Sequence, residues 1–295
     1  IIYNDSTDSS VKIIEDNFKE KVVLFKNKNT GYAGGANKGI ELSNGEYVII
    51  ANPDIVFGEN YIEKCINKFS EDEAIGAVTG KLLKYDFDTD EKLNVIDSAG
   101  ISFNHYRQGI DIGQNEVDEG KYEEDKRVFG VCGAAAVFKK DALEKIKVSG
   151  EYFDNDFFAY KEDIDICWRL NLYGFKCYYV HDAISYHGRG MNSSKGIINT
   201  IKNRRSQSEF LKGISFRNHY LMIIKNETNY AFEKDKSKIY IGVMKYLVFF
   251  MLFDRKCLKY VKEVKSKRSL MEAKRNQILK NIKISDEEIY KLFDL

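Results

Sequence analysis

The first 80 residues alternate between short apolar segments and segments with helical periodicity, and this alternation restricts the chain to an α/β fold. The apolar segments predict strands at 1–3, 22–25, 47–51 and 75–79, and the periodic segments predict helices at 11–19, 36–42 and 61–69. A strand, a helix and a second strand in succession form the unit from which parallel sheets are built. The sequence therefore predicts a sheet with helices packed on its faces.

The rest of the chain divides into a polar stretch, a second apolar and helical portion, and a helical end. Residues 84–127 carry many charges and little periodicity, which predicts a loop or hairpin excursion. Apolar residues return at 128–139, and a helical pattern over 157–172 ends before Gly174. Helical periodicity dominates the remainder, so we place a boundary near residue 198. This boundary separates an α/β domain, residues 1–198, from a helical extension, residues 199–295.

The charge of the chain is balanced overall but uneven along its length. Lys and Arg total 46 and Asp and Glu total 45, and the resulting net charge of +1 disfavours a general nucleic-acid binder. Ten basic and two acidic residues nevertheless give segment 255–280 a charge of +8. This segment lacks a base-stacking motif, so we predict no nucleic-acid partner.

The apolar segment 239–253 directly precedes this basic segment and is shorter than the roughly 18 residues of a membrane span. Two interpretations stay open for residues 239–280. They meet an anionic membrane surface, or they form an ordinary helical subdomain whose basic face is solvated.

The cysteines indicate a reducing compartment. The chain has five, which is an odd number, and no two of them form a CxxC pair. This pattern predicts neither a disulfide framework nor a thiolate zinc site. We therefore expect a cytoplasmic protein.

Three polar or glycine-containing segments, 4–10, 29–39 and 52–54, each follow a predicted strand. Ligands of open α/β sheets bind beyond the carboxyl ends of the strands, so we expect these segments to line one edge. The glycines of 29–39 match neither GxGxxG nor a P-loop, which weakens both of those nucleotide-fold interpretations. Taken alone, 29–39 is more typical of a tight turn, and 52–54 of a capped turn.

The segment 157–170 holds three carboxylates and a guanidinium among aromatic residues, where burial and mutual charge shift pKa values. A helix brings Asp165 and Arg169 together at i and i+4, which predicts a structural ion pair. Asp163 lies nearer the start of that helix and is better placed to face a cleft and accept a proton. His187, beside a glycine-containing loop, is a candidate imidazole ligand, although a lone histidine is more often an ordinary polar residue.

Five motifs, taken in order and spacing, resemble those of the family 2 glycosyltransferases. They are Asn-Thr-Gly-Tyr-Ala-Gly-Gly-Ala-Asn-Lys-Gly (29–39), Asn-Pro-Asp (52–54), Cys-Gly-Ala-Ala (132–135), Phe-Phe-Ala-Tyr-Lys-Glu-Asp-Ile-Asp-Ile-Cys-Trp-Arg (157–169) and Tyr-His-Gly (186–188). The likeness covers about residues 1–225, including Arg217 and Asn218, and is greatest for the rhamnosyltransferase-like branch of bacterial polysaccharide biosynthesis.

The resemblance implies a GT-A fold, which is a nucleotide-binding mixed sheet flanked by helices, with residues 1–198 as the catalytic domain. It implies inverting transfer of a sugar, rhamnose in the nearest branch, from a nucleotide diphosphate donor. The acceptor would be a hydroxyl of a glycan or polyprenyl-linked glycan in cell-surface polysaccharide assembly, at the inner face of the cell membrane.

The resemblance also implies roles for individual residues. Asp163 falls on the position of the catalytic base, beside Glu162 in the same acidic motif. Asp54 and His187 fall on the positions that hold the metal, Mg²⁺ or Mn²⁺, which stabilises the departing diphosphate. Contacts to the nucleotide sugar fall on Asn4, Asn29, Gly31, Gly34, Asn37, Asn52, Asp54, Gly133 and Ala134.

Departures from the family pattern keep other functions open. Family members usually carry a strand and a helix ahead of the residues that match Ile1, and we expect this first unit to be missing here. Tyr3 stands where the family commonly has an aspartate that reads the base, and Asn52 replaces the first acid of the usual metal motif. The alternatives are a non-catalytic glycan- or nucleotide-binding module and a sugar-phosphate nucleotidyltransferase. The latter requires a basic glycine-rich loop near the first strand, and the sequence shows none.

Overall fold

A computed structural model describes residues 1–188 and 208–295, and its centre is a mixed seven-stranded sheet. Five strands form the main path, in the spatial order β3 (Tyr47–Ala51), β10 (Ala135–Lys139), β5 (Ile75–Asp86), β11 (Lys176–His187) and β4 (Ile55–Phe57). Two more, β6 (Glu91–Ser98) and β9 (Lys126–Val128), pair with β5 and β11. The β5 and β11 strands are parallel, and the other pairs of this sheet are antiparallel.

Two smaller sheets flank the central one. The strands β1 (Ile2–Asn4) and β2 (Phe25–Asn27) are parallel and are joined through α1 (Ser10–Asn17). The strands β7 (Ile101–Phe103) and β8 (Gly109–Asp111) form an antiparallel hairpin. Both small sheets are formed by the segments that precede or interrupt the strands of the central sheet.

The helices lie in two groups. Those associated with the sheets are α2 (Gly31–Leu42), α3 (Tyr61–Lys68), α4 (Lys140–Lys145) and α5 (Glu162–Leu172). Those of the C-terminal region are α6 (Glu209–Asn226), α7 (Asn229–Phe253), α8 (Leu258–Leu279) and α9 (Asp286–Lys291). Across the two described ranges, no helix combines the length and the apolar character needed to cross a bilayer.

The α5 helix lies at the centre of the core, and aromatic packing joins it to the end of the chain. The indole of Trp168 is fully buried and lies against the rings of Phe103, Phe129 and Phe293, at centroid distances of 5.0, 6.3 and 5.9 Å. Phe293 belongs to the last helical turn of the chain, Leu292–Asp294. The C-terminal region is therefore part of the same core as the central sheet.

A buried charge network makes a second connection between the two regions. Lys225 of α6 places its Nζ atom 2.8 Å from carboxylate oxygens of both Asp154 and Asp165. Asp165 also pairs with Arg169, at 3.1 Å, which confirms the structural ion pair predicted from their spacing. Breaking such a buried pair is costly because it leaves an uncompensated charge in the interior. The boundary near residue 198 lies outside the described residues, and the division into two domains stays a prediction.

The structure confirms the mixed α/β fold class and corrects several local predictions. The strand at 47–51 has the predicted bounds, whereas the second strand begins at Phe25, since Val23 is 82% exposed. The predicted helix at 36–42 is too short and the tight turn expected in 29–39 is wrong, because α2 begins at Gly31 and uses small residues to pack closely. Parallel pairing is confined, among described strands, to β1–β2 and β5–β11. The polar stretch 84–127 forms the strands β6 to β9 and their connections.

Candidate active site

The turn after β3 places a half-exposed carboxylate at one edge of the sheet. Strand β3 ends at Ala51, and the backbone N–H of Asn52 donates to the carbonyl of Ala134, at 2.8 Å. Pro53 and Asp54 complete the turn into β4, and the backbone carbonyl of Asp54 accepts from the N–H of Gly188 at 2.9 Å. The Asp54 side chain, 40% exposed, is open to a ligand.

The last residue of β11 meets this turn. His187 is opposite Ile55 in the antiparallel register of β11 and β4, and its side chain is almost fully buried. Its Nε2 atom lies 3.3 Å from Oδ1 of Asp54. The structure thus brings together the two residues that the sequence analysis placed at a metal.

A third residue, which the sequence analysis missed, orients the imidazole. Oδ2 of Asp97, in β6, lies 2.7 Å from Nδ1 of His187, and Asp97 is fully buried. This hydrogen bond fixes the Nδ1–H tautomer and directs the Nε2 lone pair towards Asp54. Asp97 belongs to the polar stretch 84–127, and nothing in its sequence context distinguishes it from the other acids there.

The chemistry of this group of side chains fits a divalent cation. An unprotonated Nε2 atom and a carboxylate oxygen are both acceptors, so a proton or a cation between them makes their approach to 3.3 Å favourable. Carboxylate oxygen and imidazole nitrogen are common ligands of divalent metals, and a carboxylate on the second imidazole nitrogen is the usual supporting contact. Asp54 and His187 therefore offer two ligands to such an ion.

The acidic motif at the start of α5 lies beside the same edge. An ideal Cβ atom built on Gly133 would stand 3.2 Å from Cβ and 3.5 Å from Oδ2 of Asp163. Gly133 precedes Ala134, the residue that accepts from Asn52, so Asp163 and the 52–54 turn adjoin consecutive residues of one segment. The hydroxyl of Tyr32 donates to the carbonyl of Gly133, at 2.6 Å, and ties α2 to the same point.

Burial makes both carboxyls of the motif weaker acids. It raises the pKa of Asp163 above its usual value, and it raises that of Glu162 to about 8, with the charge of Asp163 adding to the effect on Glu162. Glu162 is almost entirely buried, and its Oε2 atom has no hydrogen-bond partner within residues 1–188 and 208–295. Asp163 is half-buried, and its Oδ1 atom accepts from the N–H of Ile164, at 2.8 Å. Of the two, Asp163 is the more accessible to a substrate.

A strained loop immediately precedes this motif. Phe158, Tyr160 and Lys161 all have left-handed backbone conformations, with φ of 65°, 70° and 74°. Each such residue costs about 1–3 kcal/mol and persists only where its surroundings hold it.

Contacts from two helices hold this loop. On the α2 side, Ala33 N–H donates to the carbonyl of Phe158 at 3.2 Å, and a Cβ atom on Gly31 would come within 2.3 Å of that oxygen. On the α6 side, the Nδ2 atom of Asn218 lies 2.7, 2.7 and 2.9 Å from the carbonyl oxygens of Phe157, Ala159 and Tyr160. The position of the acidic motif therefore depends on α6.

Several residues predicted to contact the nucleotide sugar are hydrogen-bonded within the protein. Asn4 accepts from the N–H of Thr30 at 3.1 Å and donates to the carbonyl of Gly31 at 2.8 Å, and Asn29 accepts from the N–H of Gly31 at 3.0 Å. The bonds from the N–H groups of Thr30 and Gly31 satisfy the first donors of α2. A contact of Asn4, Asn29 or Gly31 with the donor stays a prediction.

Asn37 and Gly34 lie on α2 beside an open depression. The Asn37 carboxamide is buried, donates to the carbonyl of Phe153 at 2.8 Å and accepts from its N–H at the same distance. Gly34 passes close to the Thr30 side chain, where a Cβ atom would come within 2.4 Å. The depression measures about 500 Å³ and is lined by Asn27, Thr30, Gly34, Asn37, Lys38, Glu41 and Asn155. Asp54, Asp163 and His187 do not line it.

A second group of potential ligands lies elsewhere. Asp125, His181 and Asp182 have ligand atoms within 4.8 Å of one another. The two carboxylates already pair with Lys68 and Lys64, each at 2.9 Å. None of these three residues is among the predicted site residues.

Comparisons with known proteins converge on one group of enzymes. Residues 1–147 match the family described as glycosyl transferase family 2, and residues 122–206 match glycosyl transferase family group 2. The poly-beta-1,6-N-acetyl-D-glucosamine synthase of Staphylococcus epidermidis is 27% identical over 190 residues, which span 63% of this chain and 42% of that protein. The enzyme of the same name from Staphylococcus aureus strain COL is 26% identical over 183 residues, 61% of this chain and 40% of that protein. The chain thus spans about two fifths of the length of these curated relatives.

A solved structure shares the fold. The crystal structure of GalNAc-T7 with UDP, GalNAc and Mn²⁺ matches with a TM-score of 0.59 at 11% identity, over 90% of this chain and 48% of that one. This match supports the GT-A architecture of the central sheet and its flanking helices. The curated relatives named above are N-acetylglucosamine polymer synthases, and the predicted rhamnosyltransferase branch is not confirmed.

Proposed function

The chain belongs to the family 2 glycosyltransferases, and from that premise we propose that it transfers a sugar from a nucleotide diphosphate donor to a carbohydrate hydroxyl, with inversion. The observation that carries this proposal is that Asp163 lies against Gly133, while the turn that carries Asp54, the partner of His187, is hydrogen-bonded through Asn52 to the next residue, Ala134. In this arrangement Asp163 can accept the proton of the acceptor hydroxyl, while Asp54 and His187 face the diphosphate of the donor.

The leaving-group side of the reaction falls to Asp54 and His187. Both would hold Mg²⁺ or Mn²⁺, since a half-exposed carboxylate and an imidazole oriented by Asp97 form a suitable pair of ligands. Such an ion neutralises the charge that develops on the departing diphosphate. Asp97 itself stays behind the imidazole and keeps the ring oriented so that Nε2 faces Asp54.

The attacking side falls to Asp163. The acceptor hydroxyl gives its proton to the carboxylate of Asp163 while its oxygen bonds to the anomeric carbon, and the bond from that carbon to the diphosphate oxygen breaks. Attack and departure on opposite faces invert the anomeric configuration. Burial raises the pKa of Asp163, which makes this carboxylate a stronger base than an exposed aspartate.

The sugar and the acceptor are the less constrained part of the proposal. The names of the curated relatives favour an N-acetylglucosamine donor over the rhamnose donor that the motifs suggested. The acceptor is a glycan or a polyprenyl-linked glycan of a cell-surface polysaccharide, made at the cytoplasmic side of the membrane. The sequence alternatives, a non-catalytic binding module and a nucleotidyltransferase, have no observation in the structure that favours them.

The experiment measures release of nucleoside diphosphate from UDP-GlcNAc and from dTDP-rhamnose, with Mn²⁺ and a carbohydrate acceptor. We expect turnover with one donor, and a loss of at least about 100-fold in Asp163→Asn, because general base catalysis typically contributes that much. Asp141→Asn is a matched control, since Asp141 is an exposed residue of α4 that pairs only with Lys145 among the described residues. Equal turnover by wild type and Asp163→Asn would refute the assignment of the base.

A further inference from the structure

The outward face of α7 is apolar over three turns, although the opposite face of the same helix is already packed. Ile239, Tyr246 and Phe250 face the helical core, where Phe216 of α6 lies 5.5 Å from Tyr246 and 5.0 Å from Phe250 between ring centroids. The residues at the opposite helical positions are exposed by 43 to 69%, and they are Tyr240, Ile241, Met244, Val248, Met251 and Leu252. We call these six residues the apolar strip.

The apolar strip is larger than the scattered apolar exposure of an ordinary surface. Its members recur at the i, i+3, i+4 and i+7 spacing of one helix face, so they form a continuous patch. An apolar patch of this kind on a protein surface marks a contact with another molecule or with a lipid phase. Packing among residues 1–188 and 208–295 explains the inner face of α7 but leaves the strip exposed.

The charges around the strip identify its occupant. Residues 239–253 contain no acid, and their single charge, Lys245, lies in the shallow surface that Tyr240, Ile241, Met244 and Val248 line. Arg255 and Lys256 follow at the end of α7, and Arg255 Nε donates to the carbonyl of Met251 at 3.2 Å. An apolar face with cations at its border is the signature of an interfacial helix on an anionic bilayer.

The basic segment 255–280 has fewer unpaired cations than its composition indicates. Four of its ten basic residues are ion-paired: Lys259 with Glu209, Lys267 with Asp156, Arg268 with Glu272, and Lys274 with Asp154. Arg255, Lys256, Lys262 and Lys265 are exposed and belong to no ion pair within the described ranges. Lys280 is likewise exposed and outside the ion pairs of the described residues, so four of the five exposed, unpaired cations fall within residues 255–265, and Arg255 and Lys256 directly follow the strip.

We propose that the apolar strip, with Lys245, Arg255 and Lys256, binds the surface of a bilayer that contains anionic lipid, and that α7 lies in the plane of that surface. The strip would enter the headgroup and upper acyl region while the cations meet lipid phosphates. The inner face of α7 packs on α6, and α6 holds the loop that precedes Glu162 and Asp163. The proposal adds a membrane partner to the proposed function and does not depend on which sugar is transferred.

The test is co-sedimentation of the whole chain with vesicles of 30% phosphatidylglycerol in phosphatidylcholine, and with vesicles of phosphatidylcholine alone. We expect affinity at least about tenfold higher for the anionic vesicles, and a comparable loss in Arg255→Gln combined with Lys256→Gln. Replacing Ile241, Val248 and Leu252 together by serine should lower affinity for both vesicle types by at least about tenfold, because the apolar contribution is lost.

Matched controls make the result specific. Ile110→Ser with Val117→Ser removes apolar side chains that are 52% and 57% exposed outside the strip, and should leave vesicle affinity unchanged. Thermal unfolding should be nearly unaffected in all these variants, because each side chain is exposed. Each of these variants should release nucleoside diphosphate at the wild-type rate when vesicles are absent. This assay tests the proposed function separately from membrane binding.

Two results would overturn the proposal. One is equal vesicle affinity of wild type and the Ile241, Val248 and Leu252 triple variant. The other is a wild-type dimer in sedimentation equilibrium that the triple variant dissociates, without vesicle binding by either, because the strip would then be covered by a second copy of the chain.

Discussion

Nδ1 of His187 lies 2.7 Å from Oδ2 of Asp97, and both side chains are buried. The two residues are far apart in sequence and meet because β6 and β11 pair with opposite sides of β5. This contact leaves Nε2 of His187 facing Asp54, at 3.3 Å. The orientation of the proposed ligand His187 thus depends on Asp97, a residue that is not itself a proposed ligand.

The first prediction concerns Asp97→Asn. The side-chain amide of asparagine can donate a hydrogen bond to Nδ1 of His187, whereas the carboxylate of Asp97 can only accept one. The substitution therefore favours the tautomer of His187 that carries its hydrogen on Nε2, and this nitrogen then cannot bind a cation. We expect the Mn²⁺ concentration for half-maximal turnover to rise about 10- to 100-fold. Asp88→Asn, in an exposed turn, is the control. An unchanged Mn²⁺ requirement in Asp97→Asn would count against the orienting role.

The second prediction concerns Gly133→Ala. The added Cβ atom would stand 3.2 Å from Cβ of Asp163, so the base must shift by a few tenths of an ångström. We expect kcat to fall by about tenfold with little change in the melting temperature, because catalysis is more sensitive to position than folding is. Gly242→Ala provides the comparison, since nothing lies within 4 Å of its Cβ position. An unchanged kcat in Gly133→Ala would mean that Asp163 is not the base, or that it accepts the proton from a position not in contact with Gly133.

The third prediction concerns the pH dependence of stability in Glu162→Gln. Burial raises the pKa of Glu162 to about 8, above the unfolded value of about 4.3. Between these two pH values the native state binds more protons than the unfolded state, so this carboxyl lowers stability as pH rises through the window. We expect Glu162→Gln to be more stable relative to wild type at pH 8.5 than at pH 5, by about a few kcal/mol in the free energy of unfolding. Melting temperatures of both proteins at the two pH values measure this difference. A constant difference across this range would show that Glu162 ionises normally.

The fourth prediction concerns Asn218→Ala. Its carboxamide is buried and lies within 2.9 Å of three carbonyl oxygens in the loop that precedes the acidic motif. Loss of these bonds leaves buried acceptors unsatisfied, so we expect a loss of about 2 kcal/mol in the free energy of unfolding. We also expect kcat to fall at least tenfold at temperatures well below melting, because the strained loop relaxes and moves Asp163. Asn276→Ala, exposed on α8, should change neither quantity.

Sequence patterns predicted the parts of this molecule that depend on local chemistry. The α/β fold class followed from alternating elements, and the pairing of Asp54 with His187 followed from the family motifs on which the two residues fall. In the structure Asp54 directly precedes β4, which pairs with the end of β11 that carries His187. The i, i+4 spacing alone predicted the buried pair of Asp165 and Arg169. In each case the relevant partners are set by one element or by one strand register.

Features that depend on long-range contacts escaped prediction. Asp97 reaches His187 only through the tertiary pairing of strands, and Asn218 reaches the active-site loop from a helix that follows residues 189–207 in the chain. The glycine-rich run was misread as a loop because small residues suit both a turn and a closely packed helix. Similarly, Asn4 is assigned to a ligand by motif, while the fold uses its amide to satisfy the start of α2.

The most direct test of the account is anomalous diffraction from crystals of the protein grown with Mn²⁺ and a nucleoside diphosphate. We predict a manganese peak within about 2.5 Å of both Oδ1 of Asp54 and Nε2 of His187, with diphosphate oxygens completing the ligand set. A manganese peak at Asp125, His181 and Asp182, with none between Asp54 and His187, would contradict the account.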